Sequence, residues 1–271
     1  MSKTLSSVAM TQFDSSVKQA FQGSGKLRGT VTIRANVTGD TYKFRAIGKG
    51  LAVERTAPSS DAIPMNVDHS LIPCTLGNWE ANEYTDIFDA KTVNFSEVKE
   101  LGTVIASALG RRADQLILDQ LALATTVIGD GTGALNLDLL RATKKAMDQK
   151  GVPTDGRTFV ISADGLSQLL GSTEVTNSDY NSVKTLVNGE VNTFLGFKFI
   201  TLEDRVEGGL PLHYSYAYHN TAVGCAIGMD IKTNVDWIPV KKSWLSAGNY
   251  KSGAVIRDDD GIVKINYLEV A

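Results

Sequence analysis

Residues 95–126, FSEVKELGTVIASALGRRADQLILDQLALATT, decide how the rest of this sequence is read. They contain no proline, and apart from Gly102 and Gly110 they are good helix formers. They predict one helix of about 45 Å at 1.5 Å per residue, well above the mean helix length of globular proteins. Asn94 with Glu97 three residues on is the reciprocal capping pattern that satisfies free N–H groups at a helix start. The apolar stripe runs through Val98, Leu101, Ile105, Leu109, Leu116 and Leu123, and the same projection puts Arg112 and, near its edge, Asp119 on that stripe. A charge on a buried face needs partners. Either Arg112 reaches past its turn to solvent or to backbone carbonyls, or it is a buried organiser tying the helix to a following domain.

Upstream, CTLGNWEANEYTDIF (74–88) reads as strand, preceded by a loop over 56–72 in a stretch carrying Pro58, Pro64 and Pro73. From Arg28 to Arg55 the pattern alternates: TVTIRANV, the turn pair Gly39-Asp40, then TYKFRAIGKGLAVER. This predicts a long hairpin or a set of edge strands. Lys26, Arg28, Arg34, Lys43, Arg45, Lys49 and Arg55 are set against only Asp40 and Glu54, and the apolar positions have no evident intramolecular partner. A projecting basic hairpin wants a neighbour. Residues 8–22, with Val8, Phe13, Val17 and Phe21 at mostly helical spacing, read as a short amphipathic arm stopped by Gly23 to Gly25.

Downstream, the loop GDGTGA (129–134) leads to a helix over 135–149, a strand TFVIS, a helix ADGLSQLL and a further short helix in DYNSVKTLV. The remainder is mostly β, and Asp260-Gly261 between two alternating runs signals a hairpin. Helices and strands mix without regular alternation, so the class is α+β.

Composition bounds the rest. With 271 residues, 42% hydrophobic, and 27 Lys and Arg against 30 Asp and Glu, the chain is an ordinary globular one of net charge −3. That balance argues against gripping polyanions by bulk attraction. Cys74 and Cys225 lie far apart with no metal-ligand spacing, and no apolar run approaches a membrane span or the core of a signal peptide, so a reducing, cytoplasmic folding compartment is expected. His69, His213 and His219 are dispersed and read as structural. Gly129, Gly131 and Gly133 follow a helix rather than a strand and carry no Gly-Lys-Ser/Thr, and Asp258 to Asp260 lack the alternate spacing of a calcium loop. No catalytic, cofactor or metal site is expected.

The segments TQFDSSVKQAFQGSGKLRGTV (11–31), residues 79–121, GVPTDGRTFVISADGLSQLLG (151–171), SDYNSVKTLVNGEVNTFLGFKF (178–199) and AYHNTAVGCAIGMDIKTNVDWIPVKKSW (217–244) resemble the major capsid proteins of tailed bacteriophages. The resemblance covers nearly the whole chain in the family's order. It implies the Hong Kong 97-type phage capsid fold: an N-terminal arm over 1–27, an extended hairpin (E-loop) within 28–72, a peripheral domain over 73–134 and 236–271 with a spine helix at about 95–126, and an axial domain over 135–235.

It also implies a shell protein of the virion that assembles with itself into hexameric and pentameric capsomers, in the host bacterial cytoplasm, around double-stranded DNA bound without sequence specificity. A separate scaffolding protein, a portal protein and a decoration protein are the other partners implied, with no membrane. Candidate assembly contacts are Phe13 and Phe21 in the arm and the basic Arg34, Lys43, Arg45 and Arg55. Their acidic counterparts are Glu97, Glu100 and Asp114 on the exposed side of the spine helix. The alternatives are an encapsulin-like compartment around a cargo enzyme, and a cytoplasmic enzyme or ligand-binding protein with an unrecognised site.

Overall fold

The computed structural model describes residues 25–55, 61–87, 97–171, 193–202, 207–211 and 213–268. The arm over 1–24, the Asn94 cap and the short helix expected in DYNSVKTLV lie outside the described residues. The strands are β1 (Thr32–Arg34), β2 (Thr41–Ile47), β3 (His69–Thr75), β4 (Gly77–Asp86), β5 (Val127–Ile128), β6 (Arg157–Ile161), β7 (Thr193–Phe194), β8 (Phe197–Thr201), β9 (Tyr214–His219), β10 (Val223–Ile238), β11 (Ser243–Ile256) and β12 (Ile262–Asn266). The helices are α1 (Glu97–Leu121), α2 (Leu137–Gln149) and α3 (Ala163–Gly171). The strands make a four-stranded sheet β1-β10-β11-β4, a six-stranded sheet β5-β12-β9-β6-β8-β7, and the two-stranded pair β2-β3.

The long helix is real but ends at Leu121 rather than near Thr126. Its last carbonyls are taken by tightened turns, Leu123 N–H to Gln120 O at 3.0 Å and Ala124 N–H to Leu121 O at 3.2 Å. The β-branched Thr125, Thr126, Val127 and Ile128 then extend, and Val127 and Ile128 pair with Lys264 and Ile265 of β12. The buried row is Ile105, Leu109, Ala113, Ile117 and Leu121, four residues apart, with Leu118 beside it. Of the expected stripe, Ile105 and Leu109 are buried, Leu101 and Leu116 are only half-buried, and Leu123 is 66% exposed. The expected line followed a seven-residue repeat, whereas this helix is gripped along a four-residue row by two sheets. Ile105 and Leu109 press against Gly248 of β11, and Ile117 and Leu121 share a core with Val160, Tyr216 and Tyr218 of the six-stranded sheet.

Each face of the six-stranded sheet has a separate core. Phe159, Ile161, Ala217, Val263 and Ile265 face α2 and α3 through Leu140, Met147 and Leu169, while the intervening Val160, Tyr216, Tyr218 and Ile262 face α1. Asn136 caps α2 by accepting the Leu139 N–H at 3.0 Å, and Gly151, at φ +75°, closes it. Buried Arg157 ties the end of α2 to β6, donating to Asp148 at 2.7 Å and to the carbonyls of Val152 and Pro153 at 2.6 and 2.8 Å.

Two expected hairpins do not form, and of the two readings of residues 28–55 the set of edge strands holds. Gly39-Asp40 does not join a pair of strands: β1 runs parallel to the start of β10, Thr32 opposite Gly224, while β2 pairs with β3, Thr41 opposite Thr75. The stretch expected as loop up to residue 72 therefore already contains the beginning of β3. Pro73 is tolerated there because this pair is only two strands wide and needs no donor on its outer edge. Asp258 to Gly261 does form a tight turn, with Asp258 accepting the Asp260 N–H at 3.0 Å. It joins β11 in one sheet to β12 in the other and makes no hairpin. The boundary expected at 235/236 falls inside β10, and β12, from the 236–271 segment, lies in the six-stranded sheet.

Candidate assembly surface

Directly opposite residues in antiparallel strands share a face, so the register sorts the four-stranded sheet into two faces. Trp79, Ala81 and Thr85 of β4 lie with Ser246, Gly248 and Tyr250 of β11 on the face that α1 covers. On the opposite face lie Glu80, Asn82 and Tyr84 with Leu245, Ala247 and Asn249, and with Lys232, Asn234 and Asp236 of β10. The period-two pattern of GNWEANEYTD carries this division in the sequence.

The β2-β3 pair stands on the second face, at the end of the sheet away from these polar residues. Phe44, Cys74, Leu76 and Ala226 are its buried root, with Val37, Tyr42, Ile72 and Val255 packed around them and the Tyr42 ring edge-on to Phe44 at 4.8 Å. The approach requires glycine twice. A Cβ on Gly224 would lie 2.8 Å from the Phe44 ring, and one on Gly253 would overlap the Thr75 carbonyl. Polar ties complete the root: Lys251 Nζ to Asp40 at 2.6 Å, Leu76 N–H to Asp40 O at 2.8 Å, and Val37 N–H to Ile227 O at 3.0 Å. Burial pushes the Cys74 thiol up and the Cys225 thiol up to about 11, so both sulfurs are packing groups rather than nucleophiles.

Beyond the root the pair projects. Its outer side carries Lys43, Arg45 and Ile47 opposite Pro73, Leu71 and His69, all exposed. Leu51, Val53, Ile63 and Met65 further along are exposed apolar residues, Leu51 at 81%. The remaining half of the sheet's second face has no covering element among the described residues. Its end is closed by the Lys241 ammonium over the Tyr84 ring, 3.8 Å from the centroid.

The expected contact residues are therefore dispersed. Lys43 and Arg45 stand on the hairpin and Arg55 is exposed beyond it, but Arg34 is on β1 in the main sheet. Phe13, Phe21 and the Glu97 side chain lie outside the described residues. Glu100 is half-buried. Asp114 is corrected: at 2% exposure it is not on the open side of the helix, and it accepts the backbone N–H groups of Lys26 at 2.6 Å and Leu27 at 2.9 Å. Helical projection alone assigned Asp114 to solvent, because a backbone segment arriving from 88 residues away leaves no mark on the helix's own pattern. Arg112 is half-buried and lies against a ring and a carboxylate. Its guanidinium lies 3.7 Å from the Trp79 ring centroid and 3.3 Å from Glu207, with the side chain 26% exposed. It joins the helix to β4 and to the segment leading into β9.

Among the described residues no group of three or more His, Cys, Asp or Glu side chains could hold a metal ion, and no helix is long and apolar enough to cross a membrane. His219 is buried and held as a structural group: its Nε2–H donates to the Asp155 carbonyl at 2.7 Å, and Nδ1 accepts from Thr221.

A family model described as phage capsid protein matches residues 5–269. No curated protein matches the chain. Among solved structures it is similar to the capsid of the cyanophage P-SCSP1u, at 14% identity over 100% of this chain and 96% of that one, with a TM-score of 0.79. The head of Helicobacter pylori bacteriophage KHP40 matches at 9% identity over 96% and 94%, with a TM-score of 0.77. A structure from Mycobacterium phage Che8 matches at 16% identity over 94% and 96%, with a TM-score of 0.75.

Proposed function

The chain belongs to the phage capsid protein family and has the Hong Kong 97-type fold, and we propose that its basic hairpin lies on the uncovered half of a neighbouring subunit's four-stranded sheet. As a major capsid protein it assembles with itself into an icosahedral capsid of the virion. One observation supports this docking: the hairpin roots on one end of a sheet face, and among the described residues nothing covers the other end. Lys43 and Arg45 on the hairpin answer Glu80 and Asp236 on the bare face, and Ile47 and Leu71 answer Tyr84 and Leu245. A contact in which one patch meets a different patch repeats around a ring and closes by symmetry, so many weak pairings give a stable capsomer.

In this reading the peripheral body is α1 with the four-stranded sheet, and the axial body is α2 and α3 with the six-stranded sheet, β12 included. The capsomers are hexameric and pentameric, the arm adds further lateral contacts, and assembly in the host bacterial cytoplasm uses a separate scaffolding protein, with portal and decoration proteins completing the head. The mild net negative charge suits a container that encloses double-stranded DNA without gripping it. The subunit's work is structural and not catalytic.

Electron microscopy of the purified protein, with and without the scaffold, is expected to show closed shells, and particles from infected cells should contain DNA. A discrete small oligomer in the presence of scaffold would defeat the proposal, and shells enclosing a cargo enzyme in place of DNA would replace it with a nanocompartment. Arg112→Leu, which unties α1 from Trp79 and Glu207, is expected to abolish ordered assembly, whereas Arg111→Leu should not; equal yields of shells from both would remove Arg112 as an organiser.

A further inference from the structure

The polar contact that carries most at the start of the described chain belongs to Asp114. Its carboxylate takes the N–H of Lys26 on one oxygen and that of Leu27 on the other, at 2.6 and 2.9 Å. The Lys26 ammonium donates to the Thr201 carbonyl at 2.9 Å. Burial pushes the carboxyl above its usual range, and the amide hydrogen bonds pull it back only in part. Because the folded value is raised, the charge costs stability once the pH rises through that value, so the anion is not explained by stability alone.

What the carboxylate does hold is direction. Gly25 crosses α1 against Gly110, where a Cβ would sit 2.6 Å from the Gly110 carbonyl oxygen. Leu27 is fully buried, and its carbonyl accepts from Thr30 Oγ1 at 2.7 Å, whose hydroxyl in turn meets Tyr218 Oη at 2.5 Å. The clasp fixes two adjacent peptide planes, those carrying the N–H groups of Lys26 and Leu27.

We propose that Asp114 is a positioning residue for assembly, setting the direction in which the backbone at Lys26 and Leu27 leaves the body toward the N-terminal arm. The inference rests on the reading of the arm as a lateral contact. It is tested with Asp114→Asn, which keeps the shape and one acceptor oxygen but removes the charge and turns an N–H toward a backbone donor. The variant is expected to stay folded at the temperature of assembly, while shell yield falls about ten-fold or more because a small misdirection is repeated at every contact. Hydrogen exchange should show lost protection at the Lys26 and Leu27 amides and no change in α1. Gly25→Ala, with the carboxylate intact, should reproduce the loss of shells by displacing the same segment.

Shells at parental yield from Asp114→Asn despite exposed amides would overturn the inference. A fall in Tm that accounts for the lost assembly, with normal shells on cooling, would overturn it too. Parental yields from the Phe13→Ser, Phe21→Ser double variant would instead remove the arm reading beneath it.

Discussion

Replacing Gly253 by alanine is expected to abolish shell formation. The added methyl overlaps the Thr75 carbonyl oxygen and crowds the Leu76 backbone, so the obstacle is main chain and cannot turn aside. β3 must lift from β11, which opens the root of Phe44, Cys74, Leu76 and Ala226 and breaks the tie from the Leu76 N–H to Asp40. Overpacking of this kind costs about 1–3 kcal/mol, and exposing part of the root adds to it. The fold should survive in its six-stranded sheet and α1, seen as a lowered urea midpoint with circular dichroism largely retained, while the hairpin leaves at the wrong angle and no shells appear in the microscope. Gly102→Ala is the control. A Cβ there meets nothing within 4 Å, and the helix interior favours alanine by about 1 kcal/mol, so this variant should assemble and be slightly more stable. Normal shells from Gly253→Ala would show that the hairpin root does not govern assembly.

Reversing Lys43 and Arg45 together to glutamate should leave the subunit folded and monomeric. Both side chains are exposed, and substitutions at such positions change stability by about 0.5 kcal/mol or less. In the proposed docking the cost falls on the contact between copies, where like-charge approaches to Glu80 and Asp236 would replace attractions of about 0.2–1 kcal/mol each and recur at every subunit. Assembly by the parent should weaken as salt is raised, since all four charged side chains are exposed and such pairs are screened. The decisive version is a swap: adding Glu80→Lys and Asp236→Lys to the reversed hairpin should restore shells that neither half of the swap forms alone. Failure of the swap with both halves folded would place the hairpin on another surface.

How far such residues were visible without coordinates differs from one to the next. The alternation in TYKFRAI exposed the basic hairpin face at once, because a strand's two sides separate by simple parity. Asp114 was misplaced because its partners are backbone N–H groups, which every residue carries and no pattern distinguishes. Arg112 was singled out by its position among apolar residues, but Trp79 and Glu207 could not be named as its partners from a helix taken alone.

The amino-acid sequence by itself determined the α+β class, the long helix, the basic face of TYKFRAI and a strand at TFVIS, since each depends on local propensity and on the spacing of apolar side chains within one segment. Only the tertiary structure decided which strands pair, where β12 lies, which row of α1 is buried, and which half of the sheet's second face is left uncovered by the described residues. Those choices are made by contacts between segments far apart in the chain, such as Gly253 against Thr75 and Asp114 against Leu27, and the energies that select them appear only when the segments meet.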